Sequence, residues 1–277
     1  MHVENDFLFR DDGTRVPFEE TPNVSPGTIV PKYLIMHYTA GTTADSAVNW
    51  FKNPNASASA HLVIDRDGSV TQMVRFNRKA WHAGRSRWQG IVGLNAHSVG
   101  IEMVNAGVLT HQGDVWKTWT GQTVPDEQVA VATHKHESSP RGWQTYTPEQ
   151  IESALAAAVA LHRRYGFADI LGHEDISPGR KTDPGPLFPL AGFRSKVLGR
   201  SDDEAPDADF VTTTDLNIRR GPGTHHDKLP ASPLPPNTRV RLRDQVGVWF
   251  HVDVLDAVGG DNDIEGWVHS RYLERVA

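Results

Sequence analysis

The chain contains no cysteine among its 277 residues. Disulfides and thiolate metal sites are therefore excluded, and any metal must be held by histidine or carboxylate. The redox compartment is left open by the same absence. Long apolar runs are also missing, since none approaches the ~20 residues that cross a bilayer. Residues Met1 to Arg10 carry Glu4 and Asp6 and no apolar stretch, so they do not read as a secretory leader. Positive charge is in deficit: 28 Lys and Arg against 34 Asp and Glu leave −6, with no footprint for nucleic acid. What is present, 38% hydrophobic and 22% charged residues, is the composition of an ordinary globular protein.

An acidic, proline-containing stretch over 201–208 reads as a linker. It divides the chain into residues 1–200 and a tail of residues 209–277. In the first part, Tyr33 to Met36 is a short apolar run ending at His37, the pattern of a buried strand. Thr43 is placed to cap a helix running through Asn49, Trp50 and Phe51. His61 to Val74 reads as a hairpin around an Asp-Gly turn. Ser98 to Val104 is a second buried-strand pattern, interrupted by Glu102. The clearest helix spans Pro148 to Tyr165, with Thr147 as N-cap, Gln150 completing a capping box and Gly166 ending it. Asp169 to Leu171 is a further strand that delivers His173. Strands interleaved with helices predict an α/β domain with a mixed central sheet flanked by helices. The tail has short β-rich runs between Gly and Pro turns, which predicts a small all-β barrel.

The densest chemistry lies in Gly172 to Pro186, where three prolines and three glycines forbid a continuous helix. This run holds His173, Lys181 and Asp183. With His37, two of these make a candidate metal set: His37, His173 and Asp183. Catalytic zinc typically takes three protein ligands and leaves a fourth position open. Each residue also has a plainer reading. A histidine at a strand end is more often structural, and Asp183 before proline suits a turn. Glu102 inside an apolar strand is either a buried carboxylate satisfied by backbone donors or a general base. Lys181 is either a solvated surface cation or, beside a metal, a stabiliser of an oxyanion. His134 and His136 sit two apart on an expected helix, facing different ways, and read as solvated. His225 and His226 fall in a Gly-Pro-rich turn and read as exposed. Trp81-His82-Ala83-Gly84 lines a sugar or peptide groove or caps the core.

Taken in order, several segments resemble one family. They are Met36-His37-Tyr38-Thr39, Ser59 to Gly68, Ala80-Trp81-His82-Ala83-Gly84, Ser98 to Glu102, and Gly172 to Pro186. Residues from about Pro31 to Val197 resemble the zinc-dependent N-acetylmuramoyl-L-alanine amidases of the type-2 superfamily, which includes the AmpD enzymes and peptidoglycan-recognition proteins. The resemblance implies a Zn2+ cofactor on His37, His173 and Asp183, Glu102 as catalytic carboxylate and Lys181 as oxyanion stabiliser. It makes Trp81, His82 and His61 the expected substrate contacts. The substrate implied is peptidoglycan or a muropeptide, cut between N-acetylmuramic acid and L-alanine. The alternative is a non-catalytic peptidoglycan-recognition protein, but such receptors usually lack one zinc ligand. A third reading is a wall-anchoring scaffold that works through its tail.

The sequence departs from the family in three places. Ala60 stands where phage members have tyrosine. Gly93 stands where the recycling enzymes have a substrate-holding arginine. Thr110 to Gln144 is longer than in compact members and is expected to wall the groove. The tail resembles a bacterial SH3-like domain through Leu216 to Gly223 and Gly266 to Leu273, implying binding of cell-wall peptide or glycan. Within that tail, Trp249 is expected in the core. Action on the cell wall or in the periplasm follows, with three delivery routes open: a toxin-injecting secretion system, phage lysis, or a leader trimmed from this chain. Delivery machinery and an immunity protein are the partners such routes imply.

Overall fold

The computed structural model describes residues 1–199 and 210–275, so the acidic stretch 201–208 lies outside the described residues. These residues form two compact units. The first is an α/β unit built on strands β1 (Tyr33–Tyr38), β2 (Leu62–Ile64), β3 (Val70–Gln72) and β4 (Ser98–Met103). Strands β5 (Val108–Gln112), β6 (Val115–Lys117), β7 (Thr123–Val124), β8 (Val129–Thr133) and β9 (Pro140–Gln144) follow, and β10 (Asp169–Gly172) comes last. The central sheet runs β10-β1-β4-β2-β3. It is mixed: β10, β1, β4 and β2 are parallel and β3 pairs antiparallel to β2.

Helices cover both faces of this sheet. Helix α1 (Ala44–Lys52) starts at Thr43, whose side chain accepts from the Ser46 N–H. Helix α2 (Pro148–Tyr165) has the expected capping box between Thr147 and Gln150, proline in its first turn and Gly166 in the left-handed conformation at its end. Its small residues Ala154, Ala157 and Ala158 let it lie close to the sheet, packing with Leu34, Met36, Ile101 and Met103. On the other face, Ala47 and Phe51 of α1 pack with Val63 and Met73. Side chains alternate along a strand. Met36 and Ile101 facing α2 therefore send His37 and Glu102 to the α1 face, and the parallel register sets these two residues side by side.

Residues 108–144 form a separate antiparallel sheet, ordered β7-β6-β5-β9-β8, over a small core of Ala106, Leu109 and Val124. The helix expected around His134 is absent. Alternating Val129-Ala130-Val131-Ala132 forms β8, which pairs along its length with β9, and His134 follows that strand. After β10 come the one-turn α3 (His173–Ile176) and then α4 (Leu190–Leu198).

The second unit is an antiparallel five-stranded sheet. Its strands are β11 (Phe210–Thr212), β12 (Arg239–Val246), β13 (Trp249–Val254), β14 (Ile264–His269) and β15 (Leu273–Arg275), in the order β14-β13-β12-β11-β15. Val240, Val252, Val254, Ile264 and Val268 close its core with Leu216, Ile218 and Leu234. Asn217 to Arg219 is not a strand; Leu216 and Arg219 make only isolated bridges. Trp249 is half-buried rather than core, because Val252 and Val254 take the inward phase of β13. Its ring meets His269 edge-on at 5.3 Å. Among the described residues, no helix is long and apolar enough to cross a membrane.

Candidate active site

Three side chains from distant parts of the chain converge at the C-terminal ends of β1 and β10. His37 is the penultimate residue of β1, His173 opens α3, and the loop after α3 returns Asp183 to the same point. The His37 Nδ1 and His173 Nδ1 atoms lie 3.0 Å apart, and each lies 2.9 Å from Asp183 Oδ2. All three residues are buried, and they form the one His/Asp/Glu cluster among the described residues with its ligand atoms grouped closely enough to hold a metal ion.

The protons on these rings can be placed from their outer partners. The His173 Nε2–H donates to the Ala83 carbonyl at 3.1 Å, the tautomer that turns the Nδ1 lone pair toward Asp183. His37 is set through a relay. The Ser98 hydroxyl donates to the Leu94 carbonyl at 2.6 Å, so its oxygen accepts from His82 Nε2–H at 3.3 Å. The His82 Nδ1 then accepts from His37 Nε2–H at 3.0 Å. His37 Nδ1 is left bare as well. Burial drives the His37 pKa down to about 4, helped by the neighbouring His173, so the ring is neutral at physiological pH. Burial, then the surrounding histidines, likewise hold His82 well below its ordinary value. Two bare nitrogens and a carboxylate oxygen face one another with no proton between them. That donor set fits a divalent cation and little else. Gly100 makes the relay possible, because a Cβ there would stand 2.5 Å from His82 Cγ.

Glu102 sits beside His37 in the sheet and lines the same cleft. Its Oε2 is buried with no hydrogen-bond partner among the described residues. Burial, then the charge of Asp183, raises its pKa well above the usual carboxylate range, while Lys181 pulls the other way. Lys181 is half-buried, lines the cleft and makes no ion pair among the described residues.

The loop carrying Asp183 is held by groups that the sequence reading missed. The Glu174 N–H donates to the Asp183 carbonyl at 2.9 Å, and the Glu174 carboxylate accepts from the Gly185 N–H at 3.2 Å. Glu174 thus grips the backbone on both sides of Pro184. Its carboxylate is itself held by His134 Nε2 at 2.7 Å and Lys135 Nζ at 2.9 Å. His134, expected to be solvated, is 1% exposed. The hydroxyl of Tyr38 pairs with that of Thr182 at 2.7 Å, and Tyr146 donates to the Pro184 carbonyl at 2.7 Å.

Of the expected substrate contacts, Trp81 and His82 line the cleft and His61 is not among its lining residues. His61 is fully buried. Its Nδ1 accepts from the Gly100 N–H at 3.0 Å and its Nε2–H donates to the Arg78 carbonyl at 2.9 Å, so both ring nitrogens serve the fold. The insertion does wall the cleft: Thr118, Trp119, Thr120 and Gln122, from the β6–β7 turn, line it.

A family model described as N-acetylmuramoyl-L-alanine amidase matches residues 27–186. The 1,6-anhydro-N-acetylmuramyl-L-alanine amidase AmpD of Enterobacter cloacae is 31% identical over 184 residues, covering 66% of this chain and 80% of that protein. AmpD of Escherichia coli K12 is 32% identical over 192 residues, covering 65% of this chain and 85% of that protein. The N-acetylmuramoyl-L-alanine amidase AmiD of Escherichia coli K12 is 28% identical over 177 residues, covering 61% and 54% respectively.

Proposed function

The chain belongs to the N-acetylmuramoyl-L-alanine amidase family, and from that membership we propose a zinc hydrolase whose metal is held by His37, His173 and Asp183. The enzyme hydrolyses the amide between N-acetylmuramic acid and L-alanine in peptidoglycan fragments. One observation carries the residue assignment: a His37 nitrogen, a His173 nitrogen and an Asp183 oxygen lie grouped together in the cleft that Glu102 also lines. When bound, zinc supplies a Lewis acid for the scissile carbonyl and acidifies water.

The remaining work falls to side chains. Glu102 takes the proton of the attacking water and returns it to the alanine nitrogen as the C–N bond breaks. Burial raises its pKa, which favours holding that proton between the two steps. Lys181 presents an ammonium to the carbonyl oxygen as negative charge develops there. His82 acts through His37, holding its tautomer and ring orientation. Trp81 lines the substrate cleft. Residues 1–200 are read as the catalytic domain, 201–208 as linker and 209–277 as an SH3-like domain that binds the cell wall. The intact wall is accordingly the favoured substrate and the site of action.

Digestion of intact sacculi and of anhydro-muropeptides, with and without a chelator, tests this reading by mass spectrometry. Peptides beginning with L-alanine are expected, lost with chelator and restored by zinc. Cleavage that survives complete metal removal would overturn the metal assignment.

A further inference from the structure

The cleft around the metal ligands encloses about 770 Å³, large for one sugar and one amide. Its exposure is graded. The floor is dry, with His37 1%, Asp183 6% and His82 8% exposed. The rim carries two strongly exposed tryptophans, Trp119 at 76% and Trp50 at 54%. Large apolar side chains gathered at one cleft mark a surface that a ligand covers.

Trp119 is anchored and the turn that carries it is held. Its Nε1–H donates to the Ala40 carbonyl at 2.7 Å, and the Thr42 hydroxyl donates to Gln122 on the same turn at 2.9 Å. Its only polar atom is satisfied, which leaves the ring for stacking. Trp50 stands on α1 beside Phe51, whose ring is packed inward with Ala47.

The cleft also carries two kinds of chemistry. Its cations, Arg180 and Lys181, lie on the loop that follows α3, beyond the edge strand β10. Its rim tryptophans come from α1, over β2, and from the turn that meets the β1–α1 loop. A substrate with its amide at the floor has two arms of unlike chemistry. The peptide arm bears carboxylates, which suit the cations. The glycan arm offers pyranose rings with apolar C–H faces and a fringe of hydroxyls. Indole faces match the former, and the hydroxyls of Thr42, Thr43, Ser46 and Thr120, which also line the cleft, match the latter.

We propose that Trp50 and Trp119 form a saccharide subsite at the rim, holding a glycan ring beyond the muramic acid whose amide is cut. This deepens the amidase reading and rests on it. It makes the enzyme selective for glycan chains over single-sugar fragments, through binding rather than chemistry.

Two measurements on the full chain test the subsite. The first compares kcat/KM for one muramyl peptide carried on a single sugar and on a tetrasaccharide. The native enzyme is expected to favour the tetrasaccharide by about tenfold, in KM, and the Trp50→Ala, Trp119→Ala double variant to lose that preference. Trp119→Phe, which keeps an aromatic face, should retain most of it. No preference in the native enzyme, or an equal preference in the double variant, would overturn the subsite. The second is calorimetric titration with a peptide-free N-acetylglucosamine tetramer, which needs no cleavage. Weaker binding by the double variant supports the subsite, and equal binding overturns it. If the zinc-loaded native enzyme cleaves neither peptide yet binds the tetramer through these tryptophans, the amidase reading falls and the subsite stands.

Discussion

Consecutive residues on the two faces of the central sheet lead opposite lives. On the α2 face, Leu34, Met36, Ile101 and Met103 lie in one dry cluster with the alanines of the helix. On the α1 face, one residue further along the same strands, stand His37 and Glu102. The backbone register is common to both faces, so packing on one face positions His37 and Glu102 on the other. The cost also falls unevenly. Glu102 carries a buried oxygen without a partner among the described residues and a strongly raised pKa, which is a destabilising arrangement for an ionisable group. The apolar face supplies the stability that lets it persist.

That contrast can be broken deliberately. The largest effect is expected at Glu102. Glu102→Gln should lower kcat by ~10²–10⁴-fold, yet raise the stability of the metal-free protein at neutral pH. The folded pKa lies above the unfolded value, so raising the pH beyond the ordinary carboxylate range deprotonates the unfolded chain first. The folded state therefore loses stability as pH rises, and glutamine removes that loss. Urea midpoints for both proteins across ~pH 5 to 8 would show the gap widening with pH. A constant gap would contradict the buried-carboxylate account.

The neighbouring residue should behave in reverse. Ile101→Ala is expected to cost ~2–5 kcal/mol of stability, measured by denaturant unfolding, with bound zinc unchanged by elemental analysis. A variant that lost metal but no stability would mean that the two faces are not separable.

A smaller effect is expected further out, at the insertion. His134→Ala frees one side of Glu174 and loosens the loop that presents Asp183. Zinc affinity should fall by ~10–100-fold in competition with a chelating dye. His134→Gln, which restores a donor, should recover part of it. Equal affinity in all three proteins would reduce His134 to a staple for the insertion.

Which parts were legible follows from the range of the interactions. Helix α2 was readable to its ends because Thr147, Pro148, Gln150 and Gly166 act within a few residues of one another. His37 and Glu102 were conspicuous because polar groups interrupt apolar runs. The family motifs then linked them to His173 and Asp183, which local spacing alone left ambiguous. His134 gave no such signal. Its partner Glu174 lies 40 residues away, and the strand preceding it is stabilised by pairing with β9 rather than by any local pattern. His61 misled for the opposite reason: it lies in a family motif, yet both its nitrogens are committed to backbone atoms.

The outer partners of His37 and His173 carry unequal hereditary risk. His173 is oriented by a main-chain carbonyl, at Ala83, and no point mutation deletes a carbonyl. His37 is oriented through His82 and Ser98 before its chain of donors reaches the Leu94 carbonyl, with Gly100 making room. Drift in a lineage can therefore disarm the first arm only by replacing His173 itself or moving the backbone. The second offers three additional codons at which the same lone pair can be lost.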